Sequence, residues 1–141
     1  GRLDKDTTGL LLLTNDGVLG HCLTSPKYHV DKVYAFTVDG MLGEADVRKL
    51  ADGVTLRDGT VCRPARLDID PTDAARGTIA VSEGKYHQVK RMLAACGAPV
   101  RTLSRLSVGG IALDKGLLPG EVRELTDEET ARLLQKKVTI S

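Results

Sequence analysis

The feature that most constrains the fold is the alternation along Tyr34, Phe36 and Val38, with Val33, Ala35 and Thr37 between them. A side-chain period of two belongs to a strand, and Asp39-Gly40 closes it with a turn signal. Further strand-like stretches lie near 63–69, 78–82, 100–106, 111–113 and 121–125. Pro71 and the stretch after it predict a turn between the first two of these. Only short segments keep a helical period. Glu44–Ala51 places Val47, Leu50 and Ala51 on one side and ends at Gly53. Val89, Met92, Leu93 and Cys96 fall at i, i+3, i+4 and i+7, stopped by Gly97 and Pro99. A short helix is predicted near 18–24, before Pro26. Thr126-Asp127-Glu128-Glu129 reads as the capping box of a last helix. Strands that do not alternate with long helices do not make a parallel sheet. The pattern predicts an α+β fold: a mixed, largely antiparallel sheet flanked by helices.

At 141 residues the chain is one domain in length and can bury a real core. Aromatic residues make up only 3%, so aliphatic side chains must build it. No apolar run approaches a membrane span, and no signal-peptide pattern leads the chain. Cys22, Cys62 and Cys96 are odd in number and widely spaced. They fit neither a disulfide framework nor a metal knuckle, and a reducing, intracellular compartment suits them. His21, His29 and His87 show no ligand spacing with them, so no metal is expected. The net charge is only +1, but its distribution is uneven. Residues 84–113 hold Lys85, Lys90, Arg91, Arg101 and Arg105 with no acid, whereas 39–83 hold nine acids against six bases. Such a basic segment is either a solvated face or an anion-binding surface.

Two stretches can carry chemistry. The first is GRLDKDTTGLLLLTNDG, residues 1–17, where Asp4 and Asp6 stand just before Leu10–Leu13. The leucine run, ended by Asn15-Asp16-Gly17, reads as a buried strand. A carboxylate held beside such an element suits a nucleophile or general base. The same letters also suit an aspartate that forms a turn with its own backbone. Asp4-Lys5-Asp6-Thr7-Thr8 further resembles the D-x-D-x-T pattern of haloacid-dehalogenase-type phosphatases. That pattern needs an apolar strand before the acids, and here the apolar run follows them.

The second stretch is EGKYHQVKRMLAACG, residues 83–97. With its apolar stripe inward, Arg91 lies nearly opposite and faces water. Lys90 sits on the flank, roughly 110° from the stripe centre at 100° per residue. From there it either snorkels or reaches into a cleft beside the core.

Taken together, GRLDKDTTGLLLLTNDG, DKVYAFTVDG, EGKYHQVKRM and SRLSVGGIALDKGLLPGEVREL closely resemble the RsuA-type family of ribosomal RNA pseudouridine synthases. The likeness covers about residues 1–135. It implies an enzyme that isomerises a uridine within RNA: the base leaves C1′, turns and rejoins through C5. No redox change or group donor enters, so it implies no cofactor. The resemblance assigns the catalytic aspartate to Asp4, the active-site tyrosine to Tyr34 and the aspartate's basic partner to Lys90, which would keep Asp4 ionised. Arg2, Lys85, Arg91, Arg101 and Arg105 would be supporting or RNA-facing residues, positioning phosphates without reading sequence. Asp6, Thr7 and Thr8 would form the loop's internal hydrogen-bonding set. Gly9 would allow a tight turn or a close approach to RNA.

The family usually carries a small S4-like RNA-binding domain and the first sheet strands ahead of GRLD. Residues 1–141 are therefore expected to be a catalytic domain incomplete at its N-terminus. The implied partner is ribosomal RNA or a pre-ribosomal particle in the cytoplasm, with no membrane and no metal. The wording K-Y-H-Q-V-K-R-M favours the 16S branch over the 23S branch. An RNA-binding domain without catalysis is the remaining alternative.

Overall fold

The computed structural model describes residues 3, 5–13, 30–85, 87–113, 116–118 and 120–132. The expected helix near 18–24 lies outside them. The architecture is the expected one, a mixed and largely antiparallel sheet. Its strands are β1 (Thr7–Gly9), β2 (Lys32–Val38), β5 (Arg66–Asp70), β6 (Asp73–Val81), β7 (Val100–Val108) and β8 (Ile111–Ala112). A separate hairpin is built from β3 (Val54–Thr55) and β4 (Val61–Cys62). The main order is β1-β7-β2-β6-β5, and β8 also pairs with β7. Among the described strands of this sheet only β1 against β7 is parallel.

The sheet buries one face. Phe36, Val38, Leu67, Ile79, Val81 and Leu103 point to it, where they meet α1 (Glu44–Ala51) and α2 (Gln88–Ala95). Leu50 of α1 and Met92 and Leu93 of α2 are completely buried. The α1 start is tied by the Gly43 amide, which donates to Asp46 Oδ2 at 2.9 Å. The expected capping box also forms: Glu129 N donates to Thr126 Oγ1 at 3.2 Å, and Thr126 N donates to Glu129 Oε1 at 2.9 Å. Residues 127–132 are helical. On the opposite face Thr8, Thr37, Thr78, Thr102 and Ser104 line a broad concavity of about 540 Å³. Thr37 and Thr102 share a hydroxyl–hydroxyl contact of 2.6 Å across it.

Several expectations move. The strand expected at Leu10–Leu13 is instead Thr7–Gly9. The leucines are not in strand. Leu10 and Leu12 pack on a second cluster of Val30, Val108 and Ile111, while Leu11 and Leu13 are exposed. Thr7 and Thr8 are therefore strand residues, not members of a loop network. The strand expected at 78–82 begins at Asp73, because a tight turn at 71–72 lets the hairpin continue. Asp70 Oδ1 anchors that turn by accepting from Thr72 N at 2.8 Å. Residues 121–125 form no strand.

Gly9 makes a close approach, but to protein and not to RNA. Its φ is +109°, and a β-carbon there would lie 2.2 Å from the Arg105 carbonyl oxygen. Gly9→Ala is expected to destabilise the protein by at least about 2 kcal/mol through backbone strain and overpacking. Urea denaturation checks this.

Candidate functional site

The site grows from the even-numbered residues of β2. Strand alternation turns Tyr34 to the helix-covered face with Phe36 and Val38, opposite Ile79 on β6 and Arg105 on β7. Two strands away Thr7 pairs with Leu103 and so shares that face. Tyr34, Val81 and Leu103 form the floor of a cavity of about 80 Å³. Leu3 and Thr7 bound one side, and the turn from Glu83 into α2 bounds the other. That volume holds two or three waters at roughly 30 Å³ each, or the leading edge of a planar ring.

Glu83 shapes the far wall. It is 3% exposed and accepts from Arg63 N at 2.6 Å and Gln88 Nε2 at 2.9 Å. Gln88 Oε1 in turn accepts from Lys85 N at 3.0 Å. These bonds wrap the backbone into the start of α2. His87, the residue before α2, lines the cavity with φ +46° and ψ 37°, a left-handed conformation costly for a side chain with a β-carbon.

Three features here oppose stability. Besides the strain at His87, the Thr7 hydroxyl is buried and makes no hydrogen bond. An unsatisfied buried hydroxyl costs about 1–3 kcal/mol. Finally, Lys32 is 8% exposed, and its ammonium lies 3.8 Å from where a β-carbon on Gly84 would sit. Burial lowers its pKa from 10.5, and the nearby Arg105 cation lowers it further, opposed by Asp31.

The expected site residues separate into groups. Tyr34 and Lys85 line the cavity. Lys85 Nζ also donates to the Val61 carbonyl and lies 3.5 Å from Glu83. Lys90 is half-buried on α2, just beyond the lining residues Gln88 and Val89. Arg91 does not simply face water: it pairs with Asp58 beside the β3–β4 hairpin. Hydrogen bonds from Thr60, and then from Arg91, hold Asp58 down to about 2. Arg101 pairs with exposed Asp39 at 3.3 Å. Arg105 departs furthest from a surface phosphate contact. It is 3% exposed and its Nε donates to the Leu10 carbonyl at 2.8 Å. Asp4 and Arg2 lie outside the described residues.

Thr7, Glu83 and Gln88, which line the cavity, were not legible as such in the sequence. Each needs a cross-strand or loop neighbour to acquire meaning. The only advance signal was the lone acid of Glu83 opening a basic stretch. Among the described residues no group of three or more His, Cys, Asp or Glu is arranged to hold a metal ion. Also among them, no helix is long and apolar enough to cross a membrane.

Residues 1–95 match the family described as RNA pseudouridylate synthase. The chain belongs to that family. It is 49% identical over 131 residues to the uncharacterized RNA pseudouridine synthase YtzG of Bacillus subtilis, covering 92% of this chain and 55% of the relative. It is 46% identical over 135 residues to ribosomal small subunit pseudouridine synthase A of Escherichia coli K12, covering 95% and 58%. A crystal structure of a pseudouridylate synthase superposes with a TM-score of 0.89 at 45% identity, covering 94% of this chain and 57% of that one. The chain thus spans a little over half the length of these relatives.

Lys32→Met removes the buried cation and keeps the stem volume. Stability at neutral pH is expected to rise by about 1 kcal/mol. The native state binds the Lys32 proton more weakly than the unfolded chain does. The penalty is therefore full below the lowered pKa and vanishes as pH rises to 10.5. The advantage of the variant in urea denaturation should shrink over that window.

Proposed function

We propose that the protein carrying this chain isomerises a specific uridine of ribosomal RNA to pseudouridine, with Asp4, Tyr34 and Lys90 as its catalytic residues. One observation carries the reading. Leu3 and Thr7, which bracket Asp4 in sequence, line the same cavity as Tyr34. Family membership supplies the chemistry that such a cavity serves.

The target uridine is flipped out of its stack, since its reactive atoms are otherwise covered. The uracil enters along the Tyr34 ring. Ionised Asp4, paired with the Lys90 ammonium, acts at the sugar or the base. The C1′–N1 bond breaks, the base turns, and a C1′–C5 bond forms. The C5 proton departs and N1 gains one, so atoms and charge balance with no oxidant or group donor. Tyr34 stacks on the ring and accepts or relays the C5 proton. Lys85, exposed at the cavity rim, meets the phosphate backbone. Arg2 and Arg91 assist from further out. Arg101, exposed beside Asp39, assists in the same way, whereas Arg105 is left out of this role because it is buried and tied to the Leu10 carbonyl.

The name of the Escherichia coli relative favours small-subunit RNA as substrate, and we place that RNA, free or within a pre-ribosomal particle, in the cytoplasm. Pseudouridine mapping on ribosomal RNA treated with the full-length protein tests the reading. The expected product is one new pseudouridine in 16S RNA. Asp4→Asn should abolish it while the circular dichroism spectrum and RNA retention stay unchanged. Turnover retained by Asp4→Asn would refute the assignment. A product in 23S RNA would move the enzyme to the other branch, and binding without any product would make it an RNA-binding domain.

A further inference from the structure

The Thr7 side chain is a polar group at the cavity whose burial no hydrogen bond accounts for. It lies on the cavity face of β1, directly across from Leu103. The residue is 8% exposed, and its hydroxyl has no hydrogen-bond partner. A threonine that merely filled this strand position could be a valine, which has the same shape and a higher strand preference. The hydroxyl therefore points to a partner that arrives with the substrate.

We propose that the Thr7 hydroxyl holds the uracil ring by donating to one of its carbonyl oxygens, both before and after the ring turns. The inference rests on the proposed function and adds a substrate contact to it. Its logic is the symmetry of the base. A half-turn about the axis through N3 and C6 exchanges N1 with C5, which is the exchange the isomerisation requires. The same half-turn exchanges O2 with O4. A donor fixed in the wall thus meets a carbonyl oxygen at one place in both orientations.

The strand order gives this donor its station. β1 and β2 flank β7: Leu103 pairs with Thr7 on one side and Phe36 on the other, while Tyr34, on the same face, pairs with Arg105 two residues further along. Adjacent strands are roughly 4.8 Å apart and two residues along a strand add roughly 6.8 Å, so the two stations lie about 12 Å apart on the diagonal. A ring stacked on Tyr34 can project an edge across Leu103 toward Thr7. The detached base, no longer tied to the sugar, is then kept by stacking on one side and by a hydrogen bond on the other. A hydroxyl suits the role because it carries no charge to repel a carbonyl and its proton can rotate to follow the acceptor.

The test compares full-length wild type, Thr7→Val and Thr7→Ser, by pseudouridine formation under single-turnover conditions and by RNA binding. Thr7→Val is expected to lower the single-turnover rate about tenfold to a hundredfold, the scale of one lost hydrogen bond. RNA affinity and the acid limb of the pH–rate profile should stay in place, and the unfolding midpoint should hold or rise. Thr7→Ser, which restores the hydroxyl, should recover most of the loss. A Val variant that turns over at the wild-type rate overturns the contact while leaving the function intact. A shifted acid limb overturns it too, because the hydroxyl would then act through Asp4. A wild-type protein that makes no pseudouridine refutes the function itself, and the contact with it.

Discussion

The site depends on the short parallel pairing of β1 with β7. Only three residue pairs make it, from Thr7–Leu103 to Gly9–Arg105, yet they dock the N-terminal segment against the sheet. Two bonds extend the pairing past Gly9. The Leu10 amide donates to the Arg105 carbonyl, and the Arg105 Nε donates back to the Leu10 carbonyl, both at 2.8 Å. Gly9 is needed because a β-carbon would strike the Arg105 backbone. Arg105 is buried to tie a strand end, and Leu10 and Leu12 seal that tie against Val108 and Ile111. Among the described residues this clasp is what holds Thr7 on the sheet that carries Tyr34.

The second determinant is the turn that closes the cavity from the other side. Glu83 takes the Arg63 amide and the Gln88 side chain, and Gln88 takes the Lys85 amide. This makes a rigid corner from a sequence that reads only as basic. Two of the unfavourable features, His87 in a left-handed conformation and the unsatisfied Thr7 hydroxyl, line this cavity, and the third, buried Lys32, lies beside its lining residue Gly84. Proteins tend to keep such departures from local rules where function requires them.

The two helices and the period-two strands were legible because their signals are local. Val89, Met92 and Leu93 fall on one helical face whatever surrounds them, and Thr126 and Glu129 cap each other within one turn. The resemblance singled out Tyr34, which lines the cavity, and the alternation of β2 accounts for its direction. The location of β1 was not legible. Leucines outrank Thr7-Thr8-Gly9 in hydrophobicity, and only the partner strand decides which residues pair. The β3–β4 hairpin was missed because strands of two residues carry no period. The charges of Arg91, Arg101 and Arg105 suggested one surface. Asp58, Asp39 and the Leu10 carbonyl divert them in three directions, which no count of basic residues can reveal.

The central claim is spatial: on one face of the sheet β7 carries Leu103 across from Thr7 and diagonal to the Tyr34 ring. Methyl-resolved nuclear Overhauser spectroscopy on leucine- and threonine-labelled protein measures this directly. The expected result is a cross-peak from the Leu103 methyls to the Thr7 methyl and another from the same methyls to the Tyr34 ring. Contacts from Leu103 to Tyr34 alone, with the Thr7 methyl giving none to β7, would contradict it, because the N-terminal segment would then lie elsewhere.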